Sequence, residues 1–488
     1  MRGSGALRSL VTAAAGAGLV LWSPQVPSVS VAVSTSPTGA AQRAAAAAGP
    51  GRAGPVPVTA AQLSCAGLGA SGAPSTVLVA TAPAAALPGR PPGGVGQVAA
   101  GPLQAASTHT RLERRGGVWS GRAGAATDVT ATGALAGATV AAERVRLGGK
   151  ARALLGTTCG SASMSSWLVG GGAQAGRRER VLLVNPGAVA ASVDLAVLGA
   201  KGPVSSANGV GVVVAPRSRR VVALDAIAGS ERAPVVHVRS FGAAVYAVLT
   251  DSWLDGLVPR GADATGATAP PAREQVMTGV SVDGPAAVRI AVPGVDAASV
   301  QVRVLTPSGP RAVPSGGQLR LAGGSTRDLD LSGLPAGSYA VQVRSTVPVV
   351  AGALVESASR HSRHSDLAWS AAGEPVSQLA GTALGPQVAA PLTTALSLAA
   401  VGEPARVTVS TVRPDGTTHT GSVRVPPDSV VLRPLARSAS VWVTPRSGRV
   451  RAAVVTSTAD PHGRLVTVSP LADLSLTTPS VAFREVGG

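Results

Sequence analysis

The chain has 488 residues and a formal net charge of +18 at pH 7, with 45% hydrophobic residues but only 2% aromatic ones. Its arginines are scattered and aromatic rings are scarce, which excludes a nucleic-acid surface, because such surfaces need clustered cations and stacking platforms. Hydrophobic cores must therefore be built from Val, Leu and Ala, and the β-branched Val favours strands.

An apolar run near the N-terminus predicts export. Residues 10–22 are apolar and follow two arginines; the run is too short to cross a bilayer but suits the core of a signal peptide. Small residues fit cleavage after Ala32 or Ala41. We predict a signal helix within a signal peptide over 1–32, then a flexible linker over 33–60. An uncleaved anchor is the alternative, and it would be the chain's only membrane contact.

The two cysteines predict one disulfide. Cys65 and Cys159 both follow the export signal, and an even pair in an oxidising compartment usually forms a bridge. The closed loop would contribute about 4–5 kcal/mol in the chain-entropy model. Two buried free thiols are the alternative.

The chain repeats itself. Val193–Val197, Val300–Val304 and Val407–Val409 begin 107 residues apart, and His237–Ser240 recurs downstream as Gln342–Ser345. Solenoid units are shorter than this, so the period indicates whole domains in tandem. We expect a semi-rigid rod in which each domain owns a closed core.

The second repeat is the clearest and predicts an all-β, immunoglobulin-like β-sandwich. Seven short strands with alternating faces and turn signals in about 100 residues are typical of that fold, here without its Cys…Trp…Cys core. A β-propeller is the alternative fold, since evenly spaced short strands also suit blades. The predicted strands cover residues 167–170, 180–184, 192–198, 210–214, 220–224, 234–239 and 244–250.

The whole chain is predicted to hold four such units. A Pro/Ala/Gly stretch over 261–272 is interpreted as the linker between the second and the third. The predicted units are a diverged first β unit, a second and a third β-sandwich, and a fourth with the C-terminal tail, over 61–166, 167–272, 273–368 and 369–488.

No catalytic constellation is visible, so we predict that the protein is not an enzyme and needs no cofactor. No serine, threonine or cysteine has a base partner that can be identified from the sequence. His361 and His364 have a spacing that could hold a metal on a helix, but they lie in a polar loop, and we predict no metal site. Asp251 and Asp255 bracket Trp253, yet nothing places them across a cleft as glycosidic carboxylates must be.

Three tryptophans lie near unit boundaries. Trp167, Trp253 and Trp369 are large side chains in an aromatic-poor chain, and we expect them to fill the junctions between units. The alternative is that they stack on glycans there, with Asp251 and Asp255 as polar partners.

Two motifs carry a family resemblance. Trp167–Gly171 followed by Val181–Gly187, together with the Asp366–Trp369 segment, resembles a secreted actinobacterial family catalogued as domain of unknown function 5719. The resemblance covers nearly all of the chain after the signal, and departs from the family pattern where Ala66 and Gly67 replace a proline-containing turn. It implies export, no established activity, and genes that tend to lie near a large membrane glycosyltransferase.

These observations favour a non-catalytic, secreted or envelope-associated structural or accessory protein. Assistance in assembling surface polysaccharide is the role that the resemblance suggests, with envelope proteins or anionic and glycan polymers as partners. A carbohydrate-binding protein that uses the boundary tryptophans is the alternative function.

Overall fold

Strands make up nearly all of the regular structure. The computed structural model describes residues 55–69, 73–89, 93–104, 110–358, 363–385 and 392–478, and within them the all-β prediction is confirmed. The predicted signal helix and most of the predicted linker lie outside the described residues. Within the described part, no helix has the length and apolar character needed to cross a membrane.

The first half of the described chain forms two sandwiches, each of two sheets that share one hydrophobic core. A short strand β1 (Val56–Pro57) precedes the first. The first sandwich contains β2 (Ala60–Cys65), β3 (Ser75–Thr81), β4 (Gly96–Pro102), β5 (Thr110–Leu112), β6 (Val118–Ala123), β7 (Thr127–Gly133), β8 (Thr139–Leu147) and β9 (Ala153–Cys159). The second contains β10 (Ser165–Val169), β11 (Arg177–Asn185), β12 (Ala191–Gly199), β13 (Gly202–Val204), β14 (Val212–Val214), β15 (Ser218–Ala223), β16 (Val235–Phe241), β17 (Tyr246–Asp255) and β18 (Val258–Thr265).

The second half repeats this plan. The third sandwich contains β19 (Ala272–Val282), β20 (Ala286–Ala291), β21 (Ala298–Thr306), β22 (Gly309–Ala312), β23 (Gln318–Leu321), β24 (Thr326–Asp330), β25 (Gly337–Ala358) and β26 (Ser365–Ala371). The fourth contains β27 (Ala380–Ala383), β28 (Leu392–Ala400), β29 (Ala405–Val412), β30 (Thr418–Val425), β31 (Ser429–Pro434), β32 (Ser440–Ser447), β33 (Val450–Asp460) and β34 (Gly463–Pro470), and β35 (Thr477–Thr478) follows it. The helical segments of the described residues are α1 (Asp225–Ala228) and the 3-10 turns Ala84–Ala86, Ala136–Ala138, Gly149–Ala151 and Ala207–Gly209.

All four sandwiches have equivalent second sheets. Their strand orders are β6-β3-β8-β9, β15-β11-β17-β18, β24-β20-β25-β26 and β31-β28-β33-β34. The last strand of each sandwich thus lies at the edge of its second sheet, and we call β9, β18, β26 and β34 the inner strands. Each repeat contains two sheets, whereas a propeller blade has one, so the propeller alternative is not supported in the described residues.

The sequence repeat falls on equivalent strands of the first sheets. The aligned valine segments lie on β12, β21 and β29. Strand β12 pairs with β16, which carries His237–Ser240, β21 pairs with β25, which carries Gln342–Ser345, and β29 pairs with the equivalent strand β32. Val300, Val302 and Val304 are buried and Gln301 is exposed, which is the alternation expected of a strand with one face toward a core.

The sandwiches close into a ring, so the expected rod is wrong. The first and the fourth sandwiches touch: Arg144 Nη1 donates to the Leu384 carbonyl over 3.3 Å. Strand β1 pairs with β35, and the Val58 N–H donates to the Leu476 carbonyl at 3.0 Å. Contacts between sequence-distant segments of this kind leave no local signal in the sequence.

The expectation of a closed core in each unit is also wrong for the third sandwich. Val455 and Val468 of the fourth sandwich belong to the same hydrophobic cluster as Val302 and Val343 of the third. The predicted boundary between residues 368 and 369 falls inside β26. Adjacent units therefore share apolar surface.

The interpretation of residues 261–272 as a linker is wrong in its first half. Residues 261–265 belong to β18, an inner strand. A Cβ at Gly261, whose φ is +110°, would lie 2.4 Å from the Leu367 backbone nitrogen and 2.5 Å from the Asp366 Cα. Small residues are needed here because another inner strand passes against this one.

Candidate functional site

Two buried aspartates join the inner strands. Asp263 on β18 accepts the Trp369 N–H of β26, and its other carboxyl oxygen lies within hydrogen-bond distance of the Thr467 hydroxyl of β34, each at 2.8 Å. Asp366 on β26 accepts the Val466 N–H of β34 at 2.8 Å and the Ala262 N–H of β18 at 3.3 Å. Each carboxyl group thus binds two neighbouring sandwiches.

Burial is the main cause that raises the pKa of both aspartates well above the usual aspartate value. The contacts of Thr467 fit a protonated Asp263. Its hydroxyl also lies 3.2 Å from the Gly156 carbonyl, and a hydroxyl has one hydrogen to donate. A protonated Asp263 can donate to Thr467 while Thr467 donates to Gly156, so both contacts become hydrogen bonds.

A second polar cluster lies where the second and third sandwiches meet. The Arg177 guanidinium makes a two-pronged ion pair with Asp251, with distances of 2.8 and 2.5 Å. The Trp369 Nε1 donates to the same carboxylate at 2.8 Å. Both Asp251 and Trp369 are 1% exposed, so they hold the junction and lie away from any ligand at the surface. Burial, and next the charge of Asp251, raise the pKa of neighbouring Glu179 to about 7.

Two of the three other residues predicted as alternative glycan contacts, Trp253 and Asp255, lie with Asp251 on β17. Asp255, at the end of β17, is exposed, whereas Trp253 is half-buried. Two guanidinium groups lie over the Trp253 ring, those of Arg260 at 4.9 Å and Arg177 at 5.7 Å from its centroid. Arginine therefore occupies ring surface that a sugar would need, which weakens the glycan-stacking interpretation.

Trp167 packs against His237, and His237 makes a contact with Ser165 that the sequence did not indicate. The Trp167 ring stacks on His237 with centroids 4.0 Å apart, and the His237 Nε2 lies 2.9 Å from the Ser165 hydroxyl oxygen. This is a nucleophile next to a base, formed across the β10–β16 pair. Burial, followed by the charge of Arg239, lowers the pKa of His237 to about 4. Such an imidazole is a weak base at neutral pH, where general bases work best with pKa values near 7.

Two cavities lie beside the inner strands. The first, which we call the axial cavity, has a volume of about 480 Å³ and lies where the inner strands end; Thr158, Thr265, Ala371 and Pro470 line it, together with Trp167. The second, which we call the Trp253 cavity, has about 670 Å³ and is lined by Leu147, Arg152, Arg178, Trp253, Leu254 and Pro259, among others. Both volumes lie in the range of small-molecule sites.

The predicted disulfide is confirmed. Cys65 and Cys159 are bonded, with an S–S distance of 1.96 Å, which rules out the alternative of two free thiols. The bridge ties β2 to the end of the inner strand β9, and so fixes that strand within the first sandwich.

Histidines do not assemble a metal site within the described residues, where no group of three His, Cys, Asp or Glu side chains could hold an ion. His361 lies outside those residues. His364 stacks instead on His462 of the fourth sandwich, with ring centroids 4.4 Å apart.

The motifs behind the family resemblance have structural roles. The carbonyls of Gly170 and Gly171 accept from Arg289 Nη1 of the third sandwich at 3.0 and 2.8 Å. Asn185 is fully buried, and its side chain binds the Val189 and Val214 carbonyls. The first motif thus forms the junction with the third sandwich, and the second closes a turn.

Comparison with known proteins identifies a family that the chain matches. The model of a family of unknown function (DUF5719) matches residues 118–435. No curated protein matches the chain. Among solved structures, the crystal structure of Thermotoga maritima 1070 is 18% identical with a TM-score of 0.18, over 21% of this chain and 93% of that one. A tetra-tandem repeat from the extending region of a large adhesion protein is 12% identical with a TM-score of 0.10, over 79% of this chain and 93% of that one. TM-scores this low establish no shared fold.

Proposed function

We propose that this chain, which belongs to the family of unknown function DUF5719, is a non-catalytic structural or accessory protein of the cell envelope. The observation that carries the proposal is the use of the buried carboxyl groups. Asp263 and Asp366 bind backbone N–H groups of neighbouring sandwiches, and Asp251 binds an arginine and a tryptophan at a junction. These groups stabilise the ring, and none of them is aimed at a substrate.

Export is part of this proposal. A disulfide fits an oxidising compartment, and the N-terminal sequence has the features of a signal peptide. The resemblance to secreted actinobacterial proteins further supports a place outside the cytoplasm and a role in assembling surface polysaccharide. A closed ring suits such a role, because its sandwiches can present several surfaces to partners at once.

Activity assays test the non-catalytic part. The purified chain and Ser165→Ala are given esters, peptides and glycosides, because Ser165 has the one histidine contact described above. We expect no turnover from either protein. Turnover that survives repurification and is lost in Ser165→Ala would contradict the proposal.

The envelope role is tested in cells. The tagged full chain is crosslinked mildly and its fractions are separated, while thiol alkylation reports the state of Cys65 and Cys159. We expect the chain in the envelope or the medium with both cysteines oxidised, and less surface polysaccharide when its gene is deleted. A reduced, cytoplasmic chain would exclude the role.

A second candidate is carbohydrate binding, because Trp167 lines the axial cavity and Trp253 lines the other, even though arginines lie over the Trp253 ring. A glycan array separates the candidates. Binding that is lost in Trp167→Leu or Trp253→Leu favours this second function.

A further inference from the structure

Two arginines line the Trp253 cavity, and one of them, Arg152, is paired with Asp460 at 2.5 Å. Arg152, which follows the Gly149–Ala151 turn, and Arg178, on β11, both line it, and no carboxylate of the described residues does. The remaining wall is mostly apolar and includes Leu254 and Pro259. A ligand that enters therefore meets positive charge and hydrocarbon together.

Arg178 is the accessible cation. Its side chain is exposed, and it makes no ion pair or side-chain hydrogen bond with any described residue. The neighbouring arginines are occupied: Arg146 pairs with Asp460 at 3.7 Å, and Arg260 pairs with Glu356 at 2.8 Å. Arg178 can thus bind a ligand anion without breaking an existing pair.

Two buried guanidinium nitrogens nearby have spare hydrogens. Arg152 donates from Nε to Asp460 and from Nη1 to the Ser365 carbonyl, but its Nη2 has no partner among the described residues. The Nε of Arg260, which lies over the Trp253 ring, has none either. Both nitrogens are buried, so they do not reach a ligand in the cavity, and direct pairing with an anion falls to the exposed Arg178.

We propose that the Trp253 cavity binds an acidic saccharide, whose carboxylate or phosphate pairs with Arg178 beside Arg152 and whose ring packs on the apolar wall. Guanidinium groups bind both oxyanions through charge-assisted, often bidentate hydrogen bonds. A cavity of about 670 Å³ accommodates a sugar residue. This inference goes beyond the structural role, and its failure would leave that role intact.

Calorimetry of the full exported chain tests the inference with four probes at constant ionic strength: glucuronate, glucose 1-phosphate, inorganic phosphate and glucose. The test variant is Arg178→Ala. The matched control is Arg180→Ala, which removes the same charge from an exposed residue of the same strand that does not line the cavity. Thermal melts check that both variants stay folded, as expected for exposed positions.

We expect saturable binding of the two acidic sugars, weaker binding of inorganic phosphate, and none of glucose. Arg178→Ala should weaken binding about tenfold or more, the size of one charge-assisted hydrogen bond, and Arg180→Ala less than about twofold. The preferred acidic sugar identifies the anion as carboxylate or phosphate. Equal losses in the two variants, or inorganic phosphate binding as tightly as the sugars, would reduce the effect to general attraction by a basic protein and overturn the proposal. No saturable binding would overturn it too.

Discussion

The core strands of the first sheets and the inner strands are both buried, but they are built from different residues. Strand β21 alternates valine with polar residues, because one face meets a core and the other meets solvent or a neighbour. Strand β18 is buried at every position from Gly261 to Thr265, a segment of glycine, alanine, aspartate and threonine. It has protein on both faces, so it shows no alternation, and it needs small residues and hydrogen bonds where other strands pass close. A strand's neighbours, as well as its burial, determine its sequence.

This difference explains what the sequence could predict. The alternation on β12, β21 and β29 reflects contacts within one sandwich, and it revealed the fold class and the repeat. The ring depends on contacts between sandwiches, such as that of Asp263 with Thr467, for which neither residue has a recognisable pattern. Residues 261–265 of β18 resemble a linker because glycine and alanine are as common in linkers as at close strand crossings.

The same reasoning applies to the candidate site. Tryptophans at unit boundaries were predicted to fill junctions, and Trp369 does so. The buried partner of Asp251 is Arg177, from a different strand of the second sandwich, so a sequence window around Trp253 could not indicate it. The contact of Ser165 with His237 and the arginines of the Trp253 cavity likewise depend on strand pairing and on ring closure.

The largest effect should come from a charge in an alternating strand. Val302→Asp places a carboxylate in the shared core of the third sandwich, where Val302 is 2% exposed. We expect a loss of several kcal/mol, enough to unfold the region. Gln301→Asp, on the exposed face, should change stability by less than about 0.5 kcal/mol. Circular dichroism melts measure both, and equal melting temperatures would mean that alternation does not define this core.

The next effect concerns the disulfide, which anchors the inner strand of the first sandwich. The bridge closes a loop with a sequence separation of 94 residues. Replacing both cysteines by alanine should cost about 4 kcal/mol, mainly because the unfolded chain gains freedom. Urea unfolding of the double variant, beside wild type with and without reductant, measures this cost. A double variant as stable as the oxidised wild type would show that the ring holds β9 without the bridge.

A smaller effect should come from the close approach of two inner strands. Gly261→Ala adds a Cβ that meets the backbone of β26, at a φ of +110°. Gly256→Ala is the matched control, because its φ is +62° and nothing lies within 4 Å of the added atom. We expect about 3 kcal/mol of destabilisation at residue 261 and about 1 kcal/mol at residue 256. Urea unfolding provides both values. Similar losses in the two variants would mean that only backbone strain, and not strand crossing, requires glycine on β18.

The smallest expected effect is a pH dependence of stability, and it is the one most specific to the inner strands. Burial raises the pKa of Asp263 above its value in the unfolded chain, so at a pH between these two pKa values the folded protein holds a proton that the unfolded chain releases. This contribution to stability is fully present below the unfolded pKa, near 3.9, and is lost as pH rises through the folded pKa.

Asp263→Asn keeps an acceptor for the Trp369 N–H and can donate to Thr467, as the protonated acid does. At pH 5 the variant should lie within about 1 kcal/mol of wild type. As pH rises to 8 its stability relative to wild type should increase, because the asparagine does not ionise. Asp263→Ala leaves the Trp369 N–H without its partner and should be destabilised at both pH values. Urea unfolding of the three proteins at pH 5 and 8 tests this. A constant difference between Asp263→Asn and wild type would mean that Asp263 is ionised throughout, and that the ring contains a charge stabilised by N–H groups instead of a proton shared with Thr467.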